Sequence, residues 1–243
     1  MAKTVSEAIE YRRSVRKYKQ IQIDELKVKN CIKNATLAPN SSNMQLWEFY
    51  HITDKEILRR ISKACFNQNA AKTAVNMVVF ITRRDKWKQR AKQNLNFLES
   101  MFDKQEKEGI DVARRRKVSR NYYKKLMPII YNDFLGLIGI YKKILSFFIG
   151  LFRPVYREVL FTDQKVIIHK SMALAAQNFM LSMSEIGYDT CPMEGSDTTR
   201  VKKILKLPRK AEINMIIGCG VRSEKGVYTE QFRVPLEDVY KKI

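Results

Sequence analysis

The run from Lys165 to Ile186 constrains this chain more than any other stretch. Asp163 opens it, Gly187 closes it, and its sides are apolar or small nearly all the way round. A helix apolar on most sides cannot face water and belongs in a core or at a subunit interface. Ala173, Ala175 and Ala176 are small enough to let another element pack closely against it.

The elements around it read as helices and strands in alternation. Thr4 and Glu7 form a capping box ahead of a short helix carrying Val5, Ala8 and Ile9, which delivers Arg12–Arg16 at its C-terminal end. Asp24 is an N-cap for a second helix with Leu26, Cys31, Ile32 and Ala35 inside and Pro39 beyond its end. Residues 47–52 read as a strand, and Asp54 starts a helix to about Ala64. Val75 to Thr82 is a β-branched, apolar run, the pattern of a strand buried on both faces. Residues from Lys86 to about Lys125 are helical and strongly basic, and Ile213 to Ile217 is the last clear strand. Strands separated by helices, with several helices first, predict an α+β fold. No repeat or low-complexity linker divides the 243 residues, which favours a single domain, 1–243, including a helical, partly apolar stretch at about 107–165.

Forty-six Lys and Arg against 25 Asp and Glu leave a formal charge of +21, which favours anionic partners such as phosphates, nucleic acid or an anionic membrane face. No recognised nucleic-acid module accompanies the charge. Cys31, Cys65, Cys191 and Cys219 are far apart, and with only two histidines, His51 and His169, they predict no zinc site. A reduced intracellular protein is the simpler reading, and the N-terminus lacks an apolar signal core, so the expectation is cytoplasmic.

Phe134 to Phe152 is almost wholly apolar, with Lys142-Lys143 at its middle. On a helix, Gly139, Lys142, Lys143, Ser146, Gly150 and Arg153 share one side and Leu, Ile and Phe fill the other. Three readings stay open: packing on the protein's own core or a partner subunit, an interfacial helix on an anionic membrane, and a span, for which two central lysines are costly. Docking would place the protein at the inner face of the membrane.

Four segments carry unusual chemistry. Arg12-Arg13-Ser14-Val15-Arg16-Lys17-Tyr18 concentrates cations, of which arginine is a planar multi-donor fork suited to phosphate, although a basic helix end is often only solvated. Pro39-Asn40-Ser41-Ser42-Asn43-Met44-Gln45-Leu46-Trp47 packs small polar and amide residues ahead of a Trp, where an ordinary turn cluster is the bland alternative. Gly187 to Gly195, GYDTCPMEG, either shapes a helix–loop connection or brings main-chain N–H groups against a flat ligand. Gln231-Phe232-Arg233-Val234-Pro235 adds one cation near the C-terminus.

In this order and spacing the four segments resemble the FMN-dependent nitroreductase family over most of the chain. The resemblance implies a three-layer α+β sandwich, a central mixed sheet flanked by helices, in an intertwined homodimer with two FMN at the subunit interface. By motif position, Arg12, Arg13, Ser14 and Arg16 would hold the FMN phosphate, ribityl and pyrimidine oxygens, with Arg233 joining at the phosphate. Pro39, Asn40, Ser41 and Asn43 would reach the flavin of the partner subunit, and Pro192, Met193, Glu194 and Gly195 would lie along its other face. Asn67, Gln68 and Asn69 occupy the region that supplies an amide to the pyrimidine edge, and Gln68 is the choice among them. Two departures stand out: Gln231 replaces a lysine common in the family, and Ser196 follows the PxEG glycine where an aromatic is frequent.

The resemblance implies an NAD(P)H-dependent FMN oxidoreductase that reduces a nitro-aromatic, quinone or similar conjugated acceptor by a ping-pong cycle. The cofactor carries that chemistry, so no catalytic dyad or metal is called for, and both histidines are read as structural. Dehalogenation and flavin consumption belong to the same superfamily. The alternative from another class is a membrane-surface flavoprotein or binding module docking through residues 134–152 without such turnover.

Overall fold

The computed structural model describes residues 2–132 and 137–243. The long apolar helix organises it. Helix α9 is Phe161–Glu185 by its place in the chain; Asp163 accepts the N–H of Leu160 at 3.0 Å, and Gly187 ends the helix with φ +81°. Met172, Ala175, Ala176, Phe179 and Met183 of this helix are fully buried.

They press on one face of a sheet built from β1 (Tyr18–Lys19), β2 (Trp47–Ile52), β3 (Asn76–Thr82), β4 (Asp189–Met193) and β5 (Glu212–Arg222), in the order β1-β5-β3-β2 with β4 also on β5. Val78, Phe80, Ile217 and Cys219 face α9 together with Val28, Cys31 and Ala35 of helix α2 (Glu25–Ala35). Met77, Val79, Ile81 and Ile216 point the other way, into a layer formed by helices α3 (Lys55–Ala64), α4 (Asn69–Thr73) and α10 (Thr198–Ile204). Three layers result, and β3 is buried on both faces, as its continuous apolar run predicts. The ladders between named strands are antiparallel, and the parallel component is a single bridge between Ser14 and Thr190.

The predicted caps are present. Helix α1 (Val5–Tyr11) has the Thr4/Glu7 capping box, Asp24 caps α2 through the N–H groups of Leu26 and Lys27, and Asp54 caps α3 through that of Ile57. The stretch read as a helix–loop connection differs. Asp189–Met193 within it is a strand paired with β5, Pro192 lying opposite Ile217. Proline is tolerated there because β4 sits at an edge, with β5 as its ladder partner.

After β3 the chain makes its helical excursion: α5 (Trp87–Lys107), α6 (Ala113–Asn121), a π-helical turn at Tyr122–Leu126, α7 (Met127–Tyr131) and α8 (Leu137–Ile149). Arg116 fastens α6 to α5 through Glu99, Asp103 and Glu106 at 2.8–2.9 Å. Of the apolar run, Phe134, Leu135 and Gly136 lie outside the described residues. Of the reading that α8 packs on its own core or on a partner subunit, the remainder corrects the first half: α8 turns its apolar side outward from its own chain. The cause lies in its neighbours, since the main-chain carbonyls of Asn132 and Arg157 take the amines of Lys142 and Lys143 and draw the polar side inward. No helix among the described residues is long and apolar enough to cross a membrane.

Candidate functional site

The Arg12–Arg16 segment is not a solvated helix end. Helix α1 stops at Tyr11, Arg12 is already extended at φ −63° and ψ 119°, and the following residues run beside β4. Val15 donates its N–H to Thr190 O at 3.1 Å, Arg16 to Gly226 O at 2.6 Å, and Ser223 N–H returns to Lys17 O at 3.1 Å. Two side chains anchor the strap: Val15 is fully buried, and Tyr18 lies over Gly218 and Gly220. Tyr18 Oη donates to Gly218 O at 2.9 Å, and a Cβ on Gly220 would meet the Tyr18 ring at 2.8 Å, so only glycine fits there.

With Val15 and Tyr18 turned inward, Arg12, Arg13, Ser14 and Arg16 line one wall of a cleft of about 470 Å³. The facing wall is residues 227–233, including Tyr228, Gln231, Phe232 and Arg233. Arg13 is fixed by a 2.6 Å hydrogen bond to Thr229 O. None of the four arginines forms an ion pair with a carboxylate among the described residues, although Glu230 also lines the cleft. Burial, then the charge of Arg233, holds the pKa of Arg12 below the usual arginine value. Cations gathered without counter-ions repel one another, and a bound anion relieves that repulsion.

Behind this wall, Cys191 is buried, and burial raises its pKa although Arg16 and Arg12 oppose the rise. It is a protonated packing thiol rather than a redox group. The other cysteines are likewise free and buried. Arg222 sets where the strap begins: it binds buried Asp189 at 2.5 Å and donates to Tyr11 O at 3.1 Å.

Gln68 and the PMEG segment come together, for Gln68 Nε2 donates to Gly195 O at 3.2 Å. Asn69 Nδ2 donates instead to Tyr228 Oη at 2.8 Å, on the rim of the arginine cleft, and Asn67 lines a separate hollow beside Lys63 and Lys72. Met193 is buried in β4, Pro192 is half-buried, and Glu194 and Gly195 are exposed.

Within one chain Pro39–Asn43 does not join them. Asn40 and Ser41 line a different, small hollow next to Ile167, Ile168 and Ser171 of α9, which shares no residue with the arginine cleft. The loop is held in an unusual shape: Ser42, Asn43 and Gln45 all have left-handed φ, at +56°, +51° and +46°. Tyr122 and Ser42 hydroxyls lie 2.6 Å apart, Tyr123 Oη donates to Ser42 O at 3.1 Å, and Asn94 clasps Asn43 through two 2.9 Å bonds. Such strain in non-glycine residues persists only where surroundings enforce it.

Both histidines, expected to be structural, are tied into the fold by hydrogen bonds. His51 Nε2 bonds Asn76 Oδ1 at 2.7 Å, while His169 bonds Glu212 and Asn214. Among the described residues no group of His, Cys, Asp and Glu could hold a metal. The tyrosine pair, Tyr228 and the Asp189–Arg222 pair escaped the sequence reading. Tyr228 and its neighbours follow no helical or strand period, so no pattern points to them.

Fold and cleft together define a three-layer α+β protein that gathers four arginines in one cleft. The nitroreductase family matches residues 9–125 and 161–221 of this chain, passing over 126–160. The chain is 26% identical over 190 residues to Protein DrgA of Synechocystis, a match covering 78% of this chain and 70% of that one. Its fold is that of a putative NAD(P)H:FMN oxidoreductase from Staphylococcus epidermidis, with a TM-score of 0.69 at 19% identity, covering 100% of this chain and 98% of the other. A putative nitroreductase from Exiguobacterium sibiricum, solved in complex with FMN, superposes with a TM-score of 0.67 at 20% identity over 100% and 99% of the two chains. The chain belongs to the nitroreductase family.

Proposed function

We propose that the protein is an NAD(P)H-dependent FMN oxidoreductase that reduces a small conjugated acceptor, a nitro-aromatic or quinone, in a ping-pong cycle. The observation that carries this reading is the cleft of four arginines without carboxylate partners, in a member of a family with an FMN-bound structure. The residues fit the cofactor. Arg12, Arg13, Arg16 and Arg233 supply the charge and the donors for its phosphate, and Ser14 a hydroxyl for its sugar-like chain. Gly195 has no positive φ, and a Cβ built on it meets nothing within 4 Å. Neither backbone conformation nor packing within the chain calls for glycine there, whereas close approach of a flat ring does.

Bound FMN would supply the chemistry of accepting hydride from the nicotinamide and passing electrons to the acceptor. The protein's part is to bind and orient it. Gln68, tied to Gly195 O, places an amide beside the ring face that Pro192, Met193 and Glu194 border. Pro39, Asn40, Ser41 and Asn43, turned away from the cleft of their own chain, serve the flavin of a second subunit, which makes the homodimer the working unit. With Gln231 in place of a lysine, the phosphate depends on the arginines alone.

A spectrum of the purified protein tests the proposal. A yellow protein with a flavin band and about one FMN per subunit is expected, together with NADH- or NADPH-dependent turnover of menadione or nitrofurazone. A colourless protein that cannot be reconstituted with FMN would overturn it.

A further inference from the structure

Helix α8 is built with its polar side in and its apolar side out. Gly139 and Ser146 are buried, and the amines of Lys142 and Lys143 donate to Asn132 O and Arg157 O at 3.0 Å each. Arg157 also donates back to Gly150 O at 3.3 Å, closing the C-terminal end of the helix. On the opposite side Tyr141, Ile144, Phe147, Phe148, Leu151 and Phe152 are between 54% and 89% exposed. A contiguous surface of large apolar side chains in water marks an interaction site.

We propose that this face seats α8 in the interfacial layer of an anionic lipid membrane. Charge decides the partner. From 137 to 157 the chain holds Lys142, Lys143, Arg153 and Arg157 and no acidic residue, on a protein of charge +21. A second copy brings the same cations and no acidic residue on this helix to answer them. Negative lipid headgroups complement them instead, while the aromatic and aliphatic side enters the acyl boundary. Lys143, Arg153 and Arg157 are exposed and stay open to those headgroups. The helix lies on the membrane rather than crossing it, since no helix among the described residues is long and apolar enough to span. The face also lies in the stretch 126–160 that the family match passes over. The inference is independent of the cofactor reading.

Flotation of the full-length protein tests it, using phosphatidylcholine vesicles with and without phosphatidylglycerol. The protein is expected to float with the anionic vesicles, less with the neutral ones, and less again in high salt. The double variant Phe147→Ser/Phe148→Ser should lose at least about tenfold in vesicle partitioning, with its melting temperature and flavin content unchanged. Protein that stays at the bottom of the gradient with both vesicle types overturns the proposal, as does a double variant that floats like the parent. A double variant that changes oligomeric state in light scattering overturns it too, by showing that a second copy covers the face.

Discussion

Arg222 grips Asp189 at 2.5 Å across β5 and β4, and the same guanidinium reaches Tyr11 O, the last residue of α1 before the arginine strap. Asp189 is almost wholly buried, and among the described residues Arg222 is its ion-pair partner. Removing one member of such a pair leaves the other uncompensated, at a cost of about 3 kcal/mol. Asp189→Asn is therefore expected to lower unfolding free energy in urea by roughly that amount. Because the pair also fixes where Arg12 begins, FMN retention should fall with it. An Asp189→Asn protein as stable as the parent would show that the pair does not organise the strap.

Arg12 offers a test whose two readouts move in opposite directions. Its pKa is depressed by burial and then by Arg233, so in the absence of an anion the charge is a burden. Arg12→Ala should raise the melting temperature of FMN-free protein, since it relieves repulsion. The same change removes charge-assisted hydrogen bonds and should weaken FMN by about 10- to 100-fold. Arg233→Ala should weaken FMN similarly, measured by fluorescence titration. Unchanged affinity in both variants would remove the phosphate assignment.

Glu48 predicts how the fold responds to acid. Burial pushes its pKa up, but hydrogen bonds from Lys86 and Arg83 outweigh it, and the result lies below the usual carboxylate value. Asp85 is lowered first by its hydrogen bond with Arg83. A carboxylate with a depressed folded pKa contributes stability that is present above its unfolded pKa and is lost as pH falls through the folded value. The melting temperature should thus drop from about pH 4 downward, and Glu48→Gln should flatten that drop while lowering stability at neutral pH. A parallel pH profile for the two proteins would remove Glu48 from the account.

Legibility in the sequence followed the range of the interaction. Thr4, Asp24 and Asp54 announce their helices because a cap is satisfied within three residues. Val78 and Phe80 announce β3 because every residue of that strand is buried. Asp189–Met193 was not legible as a strand, since its ladder comes from β5, distant in sequence, and Pro192 argues locally against it. For α8 the division into two sides was readable, but which side faces the protein was set by the carbonyls of Asn132 and Arg157. In the site, Arg12–Arg16 and Arg233 were found by motif. Tyr228 was not, because residues 227–233 gain their shape only by lying against the strap.

Ser42 carries the last prediction. Two consecutive tyrosines ordinarily point about 100° apart on an α-helix, yet Tyr122 Oη and Tyr123 Oη both reach Ser42, one its hydroxyl and the other its carbonyl. The π-helical turn beginning at Tyr122 is the local distortion that accompanies this convergence, and such turns recur at functional sites. The tyrosines hold Ser42 at φ +56°, a conformation that costs a serine about 1 kcal/mol or more. The pair Tyr122→Phe/Tyr123→Phe keeps the rings and removes only the hydroxyls. It should release the loop, seen as faster amide exchange across Ser41–Gln45, and weaken FMN by several-fold because Asn40, Ser41 and Asn43 no longer present a fixed surface to the partner's flavin. The Ser42→Gly variant tolerates left-handed φ without strain and should retain the affinity that the tyrosine pair loses. Loop exchange unaltered by the loss of both hydroxyls would mean that Asn94 alone fixes the loop.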